Sequence, residues 1–128
     1  MQDVPGDLDG VARLVLDALT AGVADESAVR VATRGLLDRL ATRAPGSAVE
    51  VRVPPYAAVQ CIGGARHTRG TPPAVVETDA LTWLELAAGR LTWSEAVAGG
   101  TVTASGERSD LSPYLPLVES AEDTDGRP

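Results

Sequence analysis

The 128-residue chain contains no lysine and no phenylalanine, one cysteine and one histidine. With a single cysteine no intrachain disulfide can form. One histidine and one cysteine supply no recognisable ligand cluster, so neither a metal nor another cofactor is expected. Because lysine is missing, all 11 basic residues are arginine, which together with the abundant Ala, Val, Gly and Asp reads as the bias of a GC-rich genome. Aromatic residues make up only 3% although hydrophobic residues reach 44%. Aliphatic and alanine side chains must therefore fill the interior, and so few bulky anchors leave room for a cavity where large side chains would otherwise meet. No run approaches the ~20 apolar residues of a bilayer-spanning helix, so integral membrane association is not expected. Asp3, Asp7 and Asp9 stand where a secretory signal would be positive, and a cytoplasmic protein is the simplest expectation. Positive charge is also in deficit. The net charge of -7 repels phosphate and argues against nucleic acid and anionic membranes as partners. Phosphate-loop and dinucleotide fingerprints are absent, and no motif pairs the acids, so the chain is not expected to be an enzyme.

What is present is clearest from Val75 to Gly106, which reads as strand, helix, short helix, strand. Thr78 or Asp79 is placed to cap the first helix, and Gly89 follows its last apolar position. Thr92 and Glu95 form a Thr-x-x-Glu capping box, with Leu91 and Ala96 as a weak hydrophobic staple, and Gly99-Gly100 stops the second helix. Upstream, Asp7 caps a helix whose apolar face is Leu8, Val11, Ala12, Val15 and Leu19, ended by Gly22. Asp25 or Ser27 opens a second helix with the stripe Val29, Ala32, Leu36, Leu37 and Leu40; Arg39 and Arg43 near its end complement the helix dipole. Val49, Val51 and Val53 alternate with Glu50 and Arg52 as a strand with one buried face. Pro54-Pro55 breaks pairing. Tyr56 to Ile62 reads as a strand covered on both sides, in which Gln60 is either a buried amide in need of partners or an exposed edge residue. Residues 63–73 are a glycine- and proline-rich loop, Ser112-Pro113 starts a short helix through Leu117, and residues 119–128 read as a disordered acidic tail.

The residues Val75-Val76-Glu77, Asp79, Trp83-Leu84, Ala87-Ala88-Gly89-Arg90-Leu91, Ala96-Val97, Gly99-Gly100, Val102 and Ser105-Gly106 resemble the C-terminal half of the sterol carrier protein domain. The run PPYAAVQCIGGARHTRGTPP is similar to that of bacterial, particularly actinobacterial, members. The resemblance covers residues 48–118. It implies an α+β fold with two N-terminal helices and a mainly antiparallel sheet of about four to five strands covered by helices. Residues 1–118 then form one domain, with 1–47 its helical N-terminal part. It further implies a non-catalytic binder or carrier of a fatty acyl chain, sterol or other apolar small molecule, held in an apolar pocket between sheet and helices.

On that reading Val59, Cys61, Trp83, Leu84, Trp93, Val97, Val102, Leu111, Tyr114 and Leu115 are the candidate lining. Arg66, His67, Thr68 and Arg69 gather two guanidinium groups, the histidine and a hydroxyl between glycines, a pattern suited to a carboxylate or phosphate at the pocket mouth. The alternative is a solvated turn whose arginines pair with Glu77 or Asp79. Cys61 and His67 are formally a nucleophilic pair, but an inert apolar thiol is the expectation for Cys61. Trp83 and Trp93 either wall a lipid chain or pack in the core. The competing function is an interaction module of the same fold, with a filled core and a protein partner or second copy in place of a ligand.

Overall fold

In the computed structural model, residues 7–64, 74–106 and 109–119 are described. The Arg66 to Arg69 loop and nearly all of the acidic tail lie outside them. The Asp7 carboxylate accepts from the Gly10 N–H and opens α1 (Leu8–Ala21), which Gly22 closes. Asp25, not Ser27, caps α2 (Glu26–Arg43) by accepting from the Ala28 N–H. The predicted stripe of α2 is buried in full, joined by Thr33. On α1 the buried set is Leu8, Ala12, Val15 and Leu16, while Val11 and Leu19 sit at its margin. The face is rotated toward Leu16 because α1 packs on both α2 and the third helix, which widens the stripe it must bury.

Four strands follow, β1 (Val49–Val53), β2 (Ala57–Cys61), β3 (Ala74–Thr78) and β4 (Val102–Ser105), in the order β2-β1-β3-β4. β1 runs antiparallel to β2, with Val51 opposite Val59, and parallel to β3, with Val51 beside Val76. β3 and β4 are antiparallel, Val76 facing Ala104. The expected α+β fold, with its mainly antiparallel sheet, is therefore present, with one parallel pair at its centre. Between β3 and β4 lie α3 (Ala80–Ala88), capped by Asp79, and α4 (Trp93–Gly99).

Val49, Val51, Val53 and Val76 point to the helical side, where they share one buried cluster with Leu36, Leu37, Leu40, Trp83, Leu84 and Leu86. Arg52, Ala58, Gln60, Glu77 and Thr103 are exposed on the other face. Arg52 donates to Glu50 at 3.2 Å and lies 3.9 Å from Glu77. The reading of β2 as covered on both sides is thus corrected: among the described residues it is an edge strand with one bare face, and Gln60 is the exposed edge residue. A second correction concerns the helix drawn from Ser112 to Leu117. It is a single 3₁₀ turn, Ser112–Tyr114, because Leu115 precedes a proline and is driven to extended backbone (φ -110°, ψ 149°).

One junction permits only glycine. A Cβ on Gly46 (φ 142°) would stand 2.3 Å from the Ile62 carbonyl oxygen, so the turn after α2 closes on the end of β2 without a side chain between them. Ile62 is itself at φ 69°, unusual for a β-branched residue. It is held there by donating to the Ala44 carbonyl and accepting from the Ala48 N–H.

Candidate functional site

The chain after the 3₁₀ turn becomes a strap, residues 115–119, laid over the helices. The N–H groups of Leu117 and Val118 both donate to the Ala87 carbonyl, at 2.8 and 2.9 Å, and their side chains are buried. Three arginines then hold the strap's carbonyls: Arg13 that of Glu119 (2.9 Å), Arg39 that of Leu117 (2.9 Å), and Arg43 those of Pro116 and Leu117 (both 3.3 Å). Asp9 completes the clasp by accepting from Arg39 and from the Glu119 N–H. Burial pushes the Asp9 carboxyl up. The Arg39 and Glu119 hydrogen bonds and the charges of Arg39 and Arg13 outweigh it and hold the group below its ordinary value.

Between the strap and the helix ends it crosses lies a groove of about 310 Å³, lined by Leu86, Gly89, Leu91, Thr92, Trp93, Ser112, Leu115 and Pro116. Local chemistry sets each wall. Gly89 ends α3 in the left-handed conformation at φ 81°, which favours glycine, and the strap passes over it with Pro116 at van der Waals distance from where a Cβ would stand. Thr92 accepts from the Glu95 N–H (3.0 Å) while Glu95 accepts from the Thr92 N–H (2.9 Å), the expected capping box, which fixes where Trp93 begins α4. Leu86 is buried at the base; Leu91, Trp93 and Leu115 are half-buried around it. The lining thus offers aliphatic and indole surface with two hydroxyls, and among the described residues no charged side chain. Such a surface is suited to hold an apolar group by excluding water.

Of the ten residues predicted to line a pocket, the groove gathers Trp93 and Leu115. Leu84, Cys61, Val102 and Leu111 are buried in the main core, and Val59 and Tyr114 pack against its edge. Trp83 is fully buried, its indole N–H donating to the Thr33 carbonyl at 3.3 Å, so the two tryptophans do not wall one chain. Val97 is 47% exposed on α4 and is not part of the lining. The layer between sheet and helices, where a tunnel was expected, is occupied by Trp83, Leu36, Leu37, Leu40, Val49, Val51 and Val53, all fully buried. The groove instead sits at the ends of α3 and α4, with no strand residue in its lining. Arg66, His67, Thr68 and Arg69 lie outside the described residues. Sequence reasoning missed the other six lining residues, Leu86, Gly89, Leu91, Thr92, Ser112 and Pro116; Gly89 was visible only as a helix stop. Two other hollows, one beside Glu77 and Asp79 and one beside Arg52 and Tyr56, are more open to solvent.

Burial also pushes the Cys61 thiol up to about 11, so it is protonated at neutral pH. Among the described residues no group of three or more His, Cys, Asp or Glu side chains is placed to hold a metal ion. No helix among them is long and apolar enough to cross a membrane.

No curated protein matches the chain. A family model described as the bacterial SCP ortholog matches residues 25–117, a span that takes in α2, the whole sheet, α3, α4 and the start of the strap. The match begins earlier than the residues that carried the resemblance and takes in α2. Covering well over half of the chain, it shows that this protein belongs to the bacterial SCP ortholog family and is sterol carrier protein-like.

Proposed function

We propose that this protein binds or carries a lipid-like apolar ligand in the groove beneath the strap, without performing chemistry on it. Family membership suggests a lipid-binding or carrier role in general terms. The observation that supports this particular site is the concave apolar wall formed by Leu86, Leu91, Trp93, Leu115 and Pro116, with a volume at the lower end of the range of small-molecule sites. Burying a chain against it is worth roughly 25 cal/mol for each Å² of apolar surface removed from water, and no ion pair is required. Native mass spectrometry of protein purified from its own host is the direct test. A retained lipid that is lost in Trp93→Ala supports the reading. A mass equal to that of the bare chain, together with an apolar dye that fails to bind, would dispose of it.

One observation favours a second reading. Fully buried side chains occupy the layer where a sterol carrier tunnel was expected, which suits an interaction or accessory module with no small ligand. A protein that pulls down a defined partner or second copy, yet carries no lipid, would decide for that alternative.

A further inference from the structure

We propose that the turn between β1 and β2, with the exposed face of α2 beside it, is a docking surface for an acidic segment of a partner protein. The surface shares no residue with the groove beneath the strap, so it stands or falls apart from the carrier reading.

Tyr56 is its centre. The Tyr56 N–H donates to the Val53 carbonyl at 2.9 Å, its own carbonyl accepts from Arg34 at 3.5 Å, and the Arg30 guanidinium lies over its ring, 5.2 Å from the centroid. The same tyrosine lines an open hollow with Arg52, Pro54, Pro55, Ala57 and Ala58. Arg30 and Arg34 are exposed and stand one turn apart on α2, where like charges repel. Glu26 and Asp38 lie a further turn to either side, yet among the described residues neither arginine makes an ion pair. The other described arginines are engaged. Arg39, Arg52 and Arg90 have carboxylate partners, and Arg13 and Arg43 hold carbonyls of the strap. Arg30 and Arg34 thus keep guanidinium donors to offer.

A guanidinium laid over an aromatic ring interacts through its face, which leaves its N–H edge to grip a carboxylate in a bidentate pair. Stacking also orients Arg30 beforehand, so less freedom is lost on binding. A carboxylate on Arg30 and Arg34, with an apolar side chain of the same segment over Pro54, Pro55 and Tyr56, matches both halves of the surface. Tyrosine and arginine are also the residues that most often anchor protein interfaces. A duplex or an anionic membrane would bring phosphates over a wide area against a chain of net charge -7, whereas a short acidic segment has to meet only this spot.

The test follows the fluorescence anisotropy of a labelled glutamate-rich peptide with one central leucine, titrated with the intact protein, against the same peptide with glutamine for glutamate. The glutamate peptide should bind at least about tenfold more tightly, and the preference should shrink as salt is added. The double change Arg30→Ala with Arg34→Ala should weaken its binding about tenfold or more, and Tyr56→Ala should weaken it too. Arg90→Ala, an exposed arginine elsewhere, should leave it unchanged. An unchanged urea midpoint verifies that the double variant is folded, and Arg30→Glu checks that the sign of the charge matters. Failure of the glutamate peptide to bind, equal binding of the two peptides, or no loss in the double variant would overturn the proposal. So would duplex DNA or phosphatidylglycerol vesicles binding more tightly than the peptide through the same arginines, or a dimer that the double variant abolishes.

Discussion

Replacing Arg39 by alanine should cost more than the same change at any other arginine among the described residues. Its guanidinium makes two contacts at once, one to the Asp9 carboxylate and one to the Leu117 carbonyl, and it joins the start of α1 to a segment 78 residues further along than itself. Arg39 and Asp9 are both partly buried, at 28% and 24% side-chain exposure, so water only partly replaces what is lost. A hydrogen bond involving a charged group contributes about 1.5–3 kcal/mol in such a setting. Arg43 also reaches the Leu117 carbonyl and retains part of the strap's attachment. The net expectation for Arg39→Ala is therefore a loss of about 2–3 kcal/mol, seen as a lower urea midpoint at unchanged m and a melting temperature lower by roughly 5–12 °C. Arg13→Ala removes one exposed contact to the Glu119 carbonyl and should cost under about 1 kcal/mol. A double-mutant cycle with Asp9→Asn should show a coupling of about 1 kcal/mol or more. If Arg39→Ala costs no more than Arg13→Ala, or the cycle closes at zero, the clasp does not hold the strap and the reasoning fails.

Three further expectations follow from single residues. The Thr33 hydroxyl is buried in α2 with no hydrogen-bond partner among the described residues, so Thr33→Val should stabilise the fold by about 1 kcal/mol in urea unfolding; a loss of that size would show that the hydroxyl has a partner after all. Asp9 is held below the ordinary carboxylate value of 3.8, so its contribution is complete above that pH and is lost as pH falls through the depressed native value. The stability gap between wild type and Asp9→Asn should accordingly shrink as unfolding is measured from about pH 5 down to about pH 2.5, and a constant gap would contradict the assignment. Cys61, buried and with its thiol pushed up to about 11, should resist iodoacetamide at pH 8 in the folded protein and react only as fast as the chain unfolds; rapid labelling without unfolding would place the thiol elsewhere.

The caps at Asp7, Asp25, Asp79 and Thr92, and the closing glycines at Gly22, Gly89 and Gly100, were legible because each depends on a side chain and a backbone group within a few residues of one another. The valine alternation of β1 was legible for the same reason, since period-two burial needs only one covered face. β2 was misjudged because Ala58 looks as apolar as a core residue, while its exposure comes from lying on the face of the sheet that carries no helices, a fact of layer arrangement and not of composition. Arg39 and Arg43 read as partners of the helix dipole because that is what spacing within α2 can reveal. Their actual partners are backbone carbonyls more than 70 residues away and, for Arg39, the Asp9 carboxylate on α1, and no local pattern marks such an acceptor. Trp93 and Leu115 could be named as lining, but the groove also needed Pro116 laid over Gly89, two residues 27 apart that no local pattern brings together.

The shared family span begins at residue 25, after α1, yet the acid and one of the three arginines that fasten the strap come from α1. Anyone trimming the protein to the matched segment would keep every residue of the groove's lining but lose Asp9, Arg13 and their contacts to the strap. Ala12, Val15 and Leu16 would go with α1, leaving the faces of α2 and α3 that they cover open to solvent. Such a fragment would be expected to aggregate or bind apolar molecules indiscriminately, so an affinity measured on it would describe a damaged surface and not the cavity of the intact molecule.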